Sequence, residues 1–385
     1  MPFVRVDKIK RRKVIVSINA AWNILNFRAG LVRDLGHQGF EVVAMVPDDA
    51  YAARLGDIGC RHVAVRMNNK GTNPLQDIAL FLRYLTLLRR ERPDAYLGWT
   101  IKPNVYGSLA AHMLGIPVVN NVSGLGTAFT RDTWLTRLVE HLYRAAFRRS
   151  TCVFFQNADD RDLFQELGLV QAGQAALLPG SGIDLHRFTP ATPAPSREGE
   201  GPVFLLIARL LWDKGIGEYV DAARQVRVLW PGARFLLLGF LDVENRTAIP
   251  RETLEGWTRE GVIEYLGAAD DVRPYIAAAD CVVLPSYREG VPRCLLEAAA
   301  MARPQIATDV PGCRDAVEDG VTGLLCRPRD ADDLAHKMLT FAAMTPPDRA
   351  AMGVAGRLRM EREFDEQIVI DRYLDVLGSL LAAKT

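Results

Sequence analysis

Short runs of apolar residues, each about as long as a β-strand, alternate along the chain with longer amphipathic segments. Within each run consecutive positions are apolar, which is typical of strands that are covered on both faces. The predicted strands are residues 13–18, 41–47, 95–100, 117–122, 152–157, 203–209, 234–239, 263–267, 281–286 and 305–309. Strands of this kind, separated by helices, form parallel sheets through right-handed crossovers. The predicted fold class is therefore α/β, with doubly wound parallel sheets.

The alternation is interrupted at a stretch rich in proline, glycine and small polar residues, which holds neither a helix nor a central strand. Residues 188–202 are therefore predicted to link two Rossmann-like domains, residues 1–187 and residues 203–364. A chain of 385 residues is long enough for two hydrophobic cores. The last periodic segment, residues 365–385, is a candidate to pack back on the first domain. Such folds bind ligands at the carboxyl ends of their strands, so we expect the two domains to face a central cleft.

The composition excludes some classes of partner. Lysine and arginine number 47 and aspartate and glutamate 46, so the net charge is only +1 and no nucleic acid partner is expected. The six cysteines include no Cys-x-x-Cys pair and several lie in apolar runs, which favours buried, reduced thiols and a cytoplasmic location. The sequence holds no run of about 18 uncharged apolar residues, so no membrane-spanning helix is predicted.

The segment Pro285–Pro304 has the pattern of a strand, a glycine-containing loop and a helix. Gly290 lets the backbone approach a ligand closely, and Pro292 lies near the helix start, where unpaired amides favour an anion. Glu289 in the loop and Glu297 in the helix would reach different hydroxyl groups of one ligand. The alternative is that the first glutamate caps the helix and the second lies on a solvated helix face.

A second strand-to-helix turn, residues 206–215, carries Arg209 and Lys214. Arginine binds a diphosphate in a bidentate manner and lysine acts as a point charge, so together they would neutralise a diphosphate leaving group. The alternative is a pair of surface cations. Because both turns follow strands of the same domain, we expect the two cations and the two carboxylates to meet at one edge of its sheet.

Polar residues and glycines also follow the strands of the N-terminal half. The candidate acceptor-binding residues are Asn19, Arg28, Lys102, Asn104, Ser123, Gly124 and Gly126. The cations and amides are donors able to bind an acceptor hydroxyl group or diphosphate, although each asparagine is equally typical of a turn or a helix cap. The Gly-x-Gly sequence would cradle a phosphate, but it is also common in turns.

Four stretches of the C-terminal half carry a family resemblance. They are Ala208-RLLWDKG, Tyr265-LG, Ala279-DCVVLPSYREGVPRCLLEAAAMARP and Val310-PGCRDAVEDGVTGLLC. They are similar to the large retaining GT-B glycosyltransferase family, family 4, whose hallmark is two glutamates separated by seven residues. The resemblance implies the GT-B fold, with two Rossmann-like domains.

The resemblance also implies roles for the donor-site residues. Arg209 and Lys214 would hold the diphosphate of a nucleotide-sugar. Glu289 would contact the transferred sugar, and Glu297 would bind the ribose hydroxyl groups. The remaining implied donor-binding residues are Gly267, Gly290, Val291 and Pro292. No metal ion or other cofactor is expected, and the Asp-x-Asp sequence at residues 330–332 is interpreted as a helix cap.

Two stretches of the N-terminal half resemble a narrower branch of the family. They are Asn19-AAWNILNFRAGLVRDLGHQGFEV and Thr100-IKPNVYGSLAAHMLGIPVVNNVSGLGTAF. Members of this branch extend a polyprenyl-diphosphate-linked sugar in polysaccharide or glycan-precursor assembly. Some relatives carry a histidine near a strand end that here reads Val119-Asn-Asn-Val-Ser-Gly, so no acceptor-activating base is predicted.

The activity implied by the resemblance is retaining transfer of a hexose or N-acetylhexosamine from a UDP-sugar to a polyprenyl-diphosphate-linked saccharide. The acceptor would attack the face from which the nucleotide diphosphate leaves, and that phosphate would take the proton. The alternatives are a GDP-sugar donor with a different acceptor, a UDP-sugar epimerase on the same fold, and a nucleotide-binding regulatory protein. An epimerase needs an acid and a base, for which Glu289 is the one obvious candidate.

Two basic amphipathic segments, residues 132–150 and 75–93, have the composition of helices that lie in an anionic headgroup layer. Trp134 would be an aromatic anchor in the first of them. Each segment is also typical of an ordinary helix packed on a sheet. We expect a cytoplasmic protein with peripheral attachment to the inner face of the cytoplasmic membrane.

Overall fold

The computed structural model describes residues 11–68, 73–124, 134–190, 201–241, 245 and 247–382. The chain divides into two compact units. The first unit comprises Met1–Leu178 and Val369–Thr385, and the second comprises Pro179–Ile368. Each unit has its own parallel sheet and its own helices.

In its described residues the first unit forms a seven-stranded parallel sheet. Its strands are β1 (Lys13–Ser17), β2 (Glu41–Val46), β3 (Arg61–Ala64), β4 (Ala95–Trp99), β5 (Val118–Val122), β6 (Cys152–Phe155) and β7 (Ala175–Leu177). The spatial order is β3-β2-β1-β4-β5-β6-β7, with Val14 opposite Val42 on one side and Ala95 on the other. The order reverses between β1 and β4, and doubly wound sheets bind ligands at such a switch point.

Helices cover both faces of this sheet. They include α1 (Ala21–Phe27), α2 (Ala29–His37), α3 (Pro74–Glu91), α4 (Ser108–Met113), α5 (Trp134–Phe147) and α6 (Ala158–Glu166). The helix α3 starts where the Asn73 side chain accepts from the amides of Leu75 and Gln76, next to a proline in the first turn. Alternate strand residues pack on opposite faces of the sheet: Val14 faces the core that contains α2, whereas Ile15 faces the core that contains α3.

In the second unit the described residues form a six-stranded parallel sheet in the order β10-β9-β8-β11-β12-β13. The strands are β8 (Val203–Ile207), β9 (Arg234–Leu238), β10 (Glu264–Tyr265), β11 (Cys281–Leu284), β12 (Gln305–Thr308) and β13 (Gly323–Cys326). The helices are α7 (Ile216–Leu229), α8 (Arg251–Arg259), α9 (Arg273–Ala278), α10 (Arg293–Ala300), α11 (Cys313–Ala316), α12 (Ala331–Ala343) and α13 (Pro346–Arg359). The order reverses between β8 and β11, the two strands that precede the charged motifs.

The apolar runs of this sheet are buried on both faces. Tyr219 of α7 and Phe341 of α12 belong to the core on one face, and Leu295 of α10 belongs to the core on the other. The helix α10 is rich in leucine and alanine, which favour helix formation. It ends at Ala300, shortly before Ala302 adopts a left-handed conformation (φ 55°) and Pro304 prevents any continuation.

The last helix, α14 (Glu366–Ala382), belongs to the first unit from Val369 onward. Apolar residues at helical spacing, from Val369 to Leu377, are buried in the core of that unit. The hydroxyl group of Tyr373 also accepts a hydrogen bond of 3.2 Å from the side-chain amide of Asn121 in β5. The C-terminal segment therefore packs in the core of the first unit.

The α/β class with two doubly wound parallel sheets is confirmed, and all ten predicted strands are present. Three further strands, β3, β7 and β13, are not predicted from the sequence. All three lie at sheet edges and have four residues or fewer. The exposed positions of β3 and β7 interrupt the apolar run that identifies the other strands, whereas β13 is buried but short.

The division of the chain differs from the predicted boundary. Residues 179–187 belong to the second unit, because Ile183 is fully buried in its core and pairs with Asp365. Phe188, at the start of the predicted linker, is buried in the same core. Residues 191–200 of that linker lie outside the described part of the chain.

Two expectations concern cysteines and membranes. The six cysteines are free, and all except the half-buried Cys294 are buried, as predicted. Within the described ranges, no helix has both the length and the apolar character needed to cross a membrane. The side chain of Trp134 lies outside the described residues.

Candidate active site

The charged motifs of the second unit meet at the switch point of its sheet. The strands β8 and β11 are direct neighbours. Arg209 and Lys214 lie between β8 and α7, and Glu289 lies in the loop between β11 and α10. The carboxyl ends of parallel strands share one edge of a sheet, so this topology places both loops side by side.

The two loops pack backbone against backbone. Gly215 has a φ of 70°, and a Cβ atom there would lie 2.0 Å from the carbonyl oxygen of Pro285, so the position requires glycine. The carbonyl group of Asp213 accepts hydrogen bonds from the amide of Tyr287 at 3.0 Å and from the hydroxyl of Ser286 at 3.2 Å. The β11–α10 loop is therefore anchored to the β8–α7 turn before any ligand contact is considered.

The turn after β12 supports the other side of the β11–α10 loop. Gly312 has a φ of 82°, and a Cβ atom there would lie 2.0 Å from the carbonyl oxygen of Gly290. The hydroxyl group of Thr308 donates to the carbonyl of Ser286 at 2.5 Å. The loop that carries Glu289 is thus held between two backbone surfaces.

Lys214 and Glu289 form an ion pair between the two loops. Their side chains are only 18% and 15% exposed. Water and salt screen a partly buried pair less than an exposed one, so the attraction is stronger than at an open surface. The structure therefore brings together two of the predicted catalytic residues, which are 75 positions apart in sequence.

The helix α10 starts directly after Pro292 and has no side-chain cap. The alternative in which Glu289 caps this helix is therefore wrong, since its carboxylate binds Lys214 instead. The first turn of a helix carries the positive end of the helix dipole, and here it follows the loop of the ion pair. An anion bound beside Lys214 would also benefit from this helix terminus.

Glu297 lies within α10 and is 9% exposed, so its interpretation as a solvated helix-face residue is wrong. Burial raises the pKa of its carboxyl group, and Arg293, whose Nε is 3.1 Å from Oε1, opposes that rise. Arg293 also donates to the hydroxyl of Ser181 at 3.1 Å and to the carbonyl of Gly182. Arg293 is not among the predicted site residues, although its position four residues before Glu297 on a helix is a recognisable pairing signal.

The other predicted donor-site residues lie along the same sheet edge or beside it. Arg209 is exposed, and its guanidinium group has no hydrogen-bond or ion-pair partner in the described part of the chain. The carbonyl of Gly267, just after β10, accepts a hydrogen bond of 2.8 Å from the amide of Gly239. Val291 packs against Gly180. A Cβ atom added at Gly180 would lie 2.9 Å from the Cβ atom of Val291.

One predicted acceptor residue of the first unit lines an open groove. Lys102 follows β4, and its Nζ lies 2.7 Å from Oδ1 of Asp77. Together with Arg66 and Arg83 it lines a groove of about 800 Å³, whose wall also includes Leu75. The groove wall also includes Asp48, so Arg66, Arg83 and Lys102 leave a surplus of positive charge, which favours an anionic ligand.

Asn104 lies in a different environment, inside the fold. It is 1% exposed, and its amide donates to the carbonyl of Asn121 at 2.8 Å while its side-chain oxygen accepts from Asn120 at 3.0 Å. Asn120 also donates to Ser108 at 2.8 Å and accepts from Ser150 at 2.7 Å. These bonds engage the amide group in the core, so Asn104 does not present a donor to a ligand in this structure.

The remaining acceptor candidates of the first unit have local partners. Asn19 accepts from the side-chain amide of Asn23 at 2.8 Å, and Arg28 is buried with its guanidinium 5.4 Å from the Trp99 ring centroid. Ser123 donates to the side-chain oxygen of Asn121 at 2.8 Å. Gly124 has a φ of 123°, which favours glycine, and Gly126 lies outside the described residues.

No cluster of three or more histidine, cysteine, aspartate or glutamate side chains suited to a metal ion occurs among the described residues. The predicted cap at residues 330–332 is confirmed, because the side chain of Asp330 accepts from the amide of Asp333 at 2.9 Å at the start of α12.

The fold and the charged switch point fit a class, the glycosyltransferases built from two Rossmann-like domains, and two family models show it. Residues 26–181 match the family model described as glycosyl transferase 4-like domain, and residues 201–343 match the model described as glycosyl transferases group 1. The chain belongs to this glycosyltransferase family, family 4, and it is a glycosyltransferase.

Several characterised proteins are similar to this chain. It is 28% identical over 378 residues to the N,N'-diacetylbacillosaminyl-diphospho-undecaprenol alpha-1,3-N-acetylgalactosaminyltransferase of Campylobacter jejuni. The alignment covers 94% of this chain and 97% of that protein. It is 23% identical over 302 residues to the UDP-Gal:alpha-D-GlcNAc-diphosphoundecaprenol alpha-1,3-galactosyltransferase of Escherichia coli, covering 76% and 75% of the two chains.

Solved structures share the fold. Sucrose-phosphate synthase from Thermosynechococcus elongatus aligns with a TM-score of 0.79 and 19% identity, covering 97% of this chain and 100% of that chain. The Anabaena protein HepE in complex with UDP-glucose aligns with a TM-score of 0.77 and 19% identity, covering 95% and 99%. At this level of identity the similarity shows the GT-B fold alone.

Proposed function

We propose that this protein is a retaining glycosyltransferase that moves a hexose or N-acetylhexosamine from a UDP-sugar to a polyprenyl-diphosphate-linked saccharide, without a metal ion. The observation that carries the proposal is the ion pair between Lys214 and Glu289 at the switch point of the second sheet. A cation for the diphosphate and a carboxylate for the sugar must lie side by side if they bind the two ends of one activated sugar. The ion pair meets that requirement.

When the donor binds, its phosphate and sugar groups would replace the contact that Lys214 and Glu289 make with each other. Phosphate oxygens replace the carboxylate of Glu289 beside Lys214, and sugar hydroxyl groups replace the ammonium group beside Glu289. The exposed Arg209 and the uncapped start of α10 add positive charge for the same diphosphate. Glu297, oriented by Arg293, accepts hydrogen bonds from the ribose hydroxyl groups.

The reaction follows from this arrangement. The acceptor oxygen attacks the anomeric carbon on the face from which UDP departs, so a new carbon–oxygen bond forms as the bond to the phosphate oxygen breaks. UDP leaves with the electron pair of that bond, and its phosphate oxygen takes the acceptor proton. Configuration is retained, and Arg209 and Lys214 stabilise the charge that develops on the leaving group. Catalysis consists mainly of positioning and electrostatic stabilisation.

The substrates are supported by relatives and by the groove of the first unit. The C. jejuni and E. coli relatives act on sugars linked to diphosphoundecaprenol, the E. coli enzyme uses UDP-Gal, and HepE binds UDP-glucose. A diphosphate-linked acceptor is anionic. Lys102, with Arg66 and Arg83 in the same groove, supplies the complementary charge.

Peripheral membrane contact is the second part of the proposal, and α3 supports it. One face of this helix is buried in the first unit. On another face Leu75, Ile78 and Leu82 are 77%, 57% and 52% exposed. Exposed apolar residues at this spacing, on a helix that also carries arginines, fit a headgroup layer better than water.

The membrane contact is tested by co-sedimentation with vesicles that contain anionic lipid. Replacing Leu75, Ile78 and Leu82 with serine is expected to abolish sedimentation that the wild type shows. The matched control replaces Val354 and Leu358 of α13, which are 53% and 55% exposed, and is expected to leave sedimentation unchanged. Equal sedimentation of the α3 variant and the wild type would remove this part of the proposal.

The transferase activity is tested by incubating the protein with a panel of UDP-sugars and GDP-sugars, with and without a polyprenyl-diphosphate-linked monosaccharide. We expect UDP release that requires the acceptor, that continues in the presence of EDTA and that yields a product of retained anomeric configuration. Isomerisation of the donor without acceptor would instead indicate an epimerase, and turnover with GDP-sugars alone would overturn the donor assignment. Binding of a nucleotide without any turnover would indicate a regulatory protein.

A further inference from the structure

Tyr287 connects the loop that carries Glu289 to the helix α7. Its hydroxyl group donates a hydrogen bond of 2.6 Å to Oε1 of Glu218, in the first turn of α7. The guanidinium group of Arg329, from the segment between β13 and α12, lies 4.6 Å from the centroid of the Tyr287 ring. Three elements of the second unit therefore meet at one side chain, which has no role in the proposed chemistry.

This contact lies beside the ion pair but does not include it. Tyr287 precedes Glu289 by two residues, and Glu218 follows Lys214 by four. In the proposed function, donor binding separates the lysine from the glutamate, so the ion pair no longer connects the two loops. The hydrogen bond to Glu218 uses neither of these groups, so their separation does not require it to break.

We propose that Tyr287 is a positioning residue for the nucleotide-sugar, which keeps the β11–α10 loop aligned with the β8–α7 turn while Lys214 and Glu289 bind the donor. The inference rests on the proposed function. A hydrogen bond to a charged acceptor is stronger than a neutral one, and its orientation is fixed here by the backbone hydrogen bond from Tyr287 to Asp213. The close contact between Gly215 and Pro285 keeps the two loops packed together without the tyrosine, so loss of the Tyr287 hydrogen bond should change how the loop presents its groups to the donor more than it changes folding.

The test is the Tyr287→Phe variant, measured by calorimetric titration with UDP and by steady-state kinetics. Loss of a hydrogen bond to a charged group is expected to raise the Kd for UDP and the KM for the donor about tenfold. The KM for the acceptor and the Tm should stay close to wild-type values. The control is Tyr219→Phe on α7, the helix that carries Glu218; the Tyr219 hydroxyl donates to the carbonyls of Phe204 and Leu236 in the core. It should lower Tm without changing the Kd for UDP.

The partner residue gives an independent readout. Glu218→Gln retains a side-chain oxygen that accepts from Tyr287 and should bind UDP almost as the wild type does, whereas Glu218→Leu should resemble Tyr287→Phe. The double variant Tyr287→Phe/Glu218→Leu should be no weaker than either single variant, because both remove the same contact. If Tyr287→Phe binds UDP as tightly as the wild type, or if the effects add in the double variant, the positioning role is overturned while the proposed function stands. Absence of UDP binding by the wild type would overturn the proposed function and this inference together.

Discussion

The switch points of the two sheets use polar residues in different ways. In the second unit the groups after the strands are charged and paired with one another at a partly exposed position, as in Lys214 with Glu289. In the first unit the amide of Asn104 is bonded inside the core, and Lys102 is the residue that reaches a groove. Desolvating a charge costs more than desolvating an amide, so charges stay near the surface whereas amides join buried networks. In this protein the charges of Lys214 and Glu289 therefore stay partly exposed, whereas the amide of Asn104 does not.

The largest expected effect tests the charged switch point directly. Replacing Lys214 with alanine removes a preorganised positive charge, so kcat should fall roughly tenfold to a thousandfold. The matched control is Lys13→Ala in the first unit, where Lys13 forms an ion pair of 3.2 Å with Glu91. The control should keep wild-type turnover, and equal turnover in the two variants would remove the catalytic assignment of Lys214.

A second change tests whether the backbone around Glu289 sets the site. Gly312→Ala would place a Cβ atom 2.0 Å from the carbonyl of Gly290, so the loop must move, and a displacement of about 1 Å can cost up to about a hundredfold in turnover. Gly320→Ala is the control, because this residue has a similar φ of 75° but open space around it. Turnover should fall in the first variant alone; a similar fall in both would indicate general backbone strain.

A third change separates the two kinds of polar residue in the first unit. Lys102→Ala should raise the KM for the acceptor about tenfold through loss of a charged contact, with an unchanged Kd for UDP. Asn104→Ala should instead lower the free energy of unfolding by about 1–3 kcal/mol, because it leaves buried partners unpaired. Kinetics and chemical unfolding of both variants measure this contrast. An Asn104 variant of full stability and impaired acceptor use would contradict it.

The smallest expected effect concerns pH. Arg61, with help from Lys13, lowers the pKa of Glu91 to about 2, whereas burial raises the pKa of Glu297 above its ordinary value of 4.5. Ionised Glu91 therefore stabilises the fold above pH 4.5, and this contribution is lost as the pH falls towards 2. The raised pKa of Glu297 has the opposite effect, since stability falls as the pH rises through 4.5 towards the folded-state pKa.

These opposite signs are measured by chemical unfolding of the glutamine variants at several pH values. Glu91→Gln should be less stable than the wild type at pH 7, with a difference that shrinks at acidic pH. Glu297→Gln should gain stability relative to the wild type as the pH rises from 4 to 7. Parallel pH dependence in the two variants would show that the environments of the two glutamates do not differ in this way.

Much of the fold follows from local sequence, because central strands that are covered on both faces need continuous apolar runs. Short edge strands such as Arg61–Ala64 do not need such a run. The boundary between the two units near Ile183 is set by pairing with a distant segment at Asp365. The sequence also indicates Lys214 and Glu289 as neighbours, since both follow strands of one sheet. It does not indicate the contact between Tyr287 and Glu218, because a tyrosine in a loop and a glutamate on a helix are common and only the fold brings them together.

The central claim is that one nucleotide-sugar binds where Lys214 and Glu289 meet, and a crystal structure of the protein with bound UDP-sugar tests it most directly. We predict that the diphosphate lies within hydrogen-bonding distance of Lys214 beside the start of α10, that the ribose lies beside Glu297, and that Glu289 has exchanged Lys214 for the sugar. A nucleotide bound elsewhere, or an intact ion pair with the nucleotide present, would contradict the account.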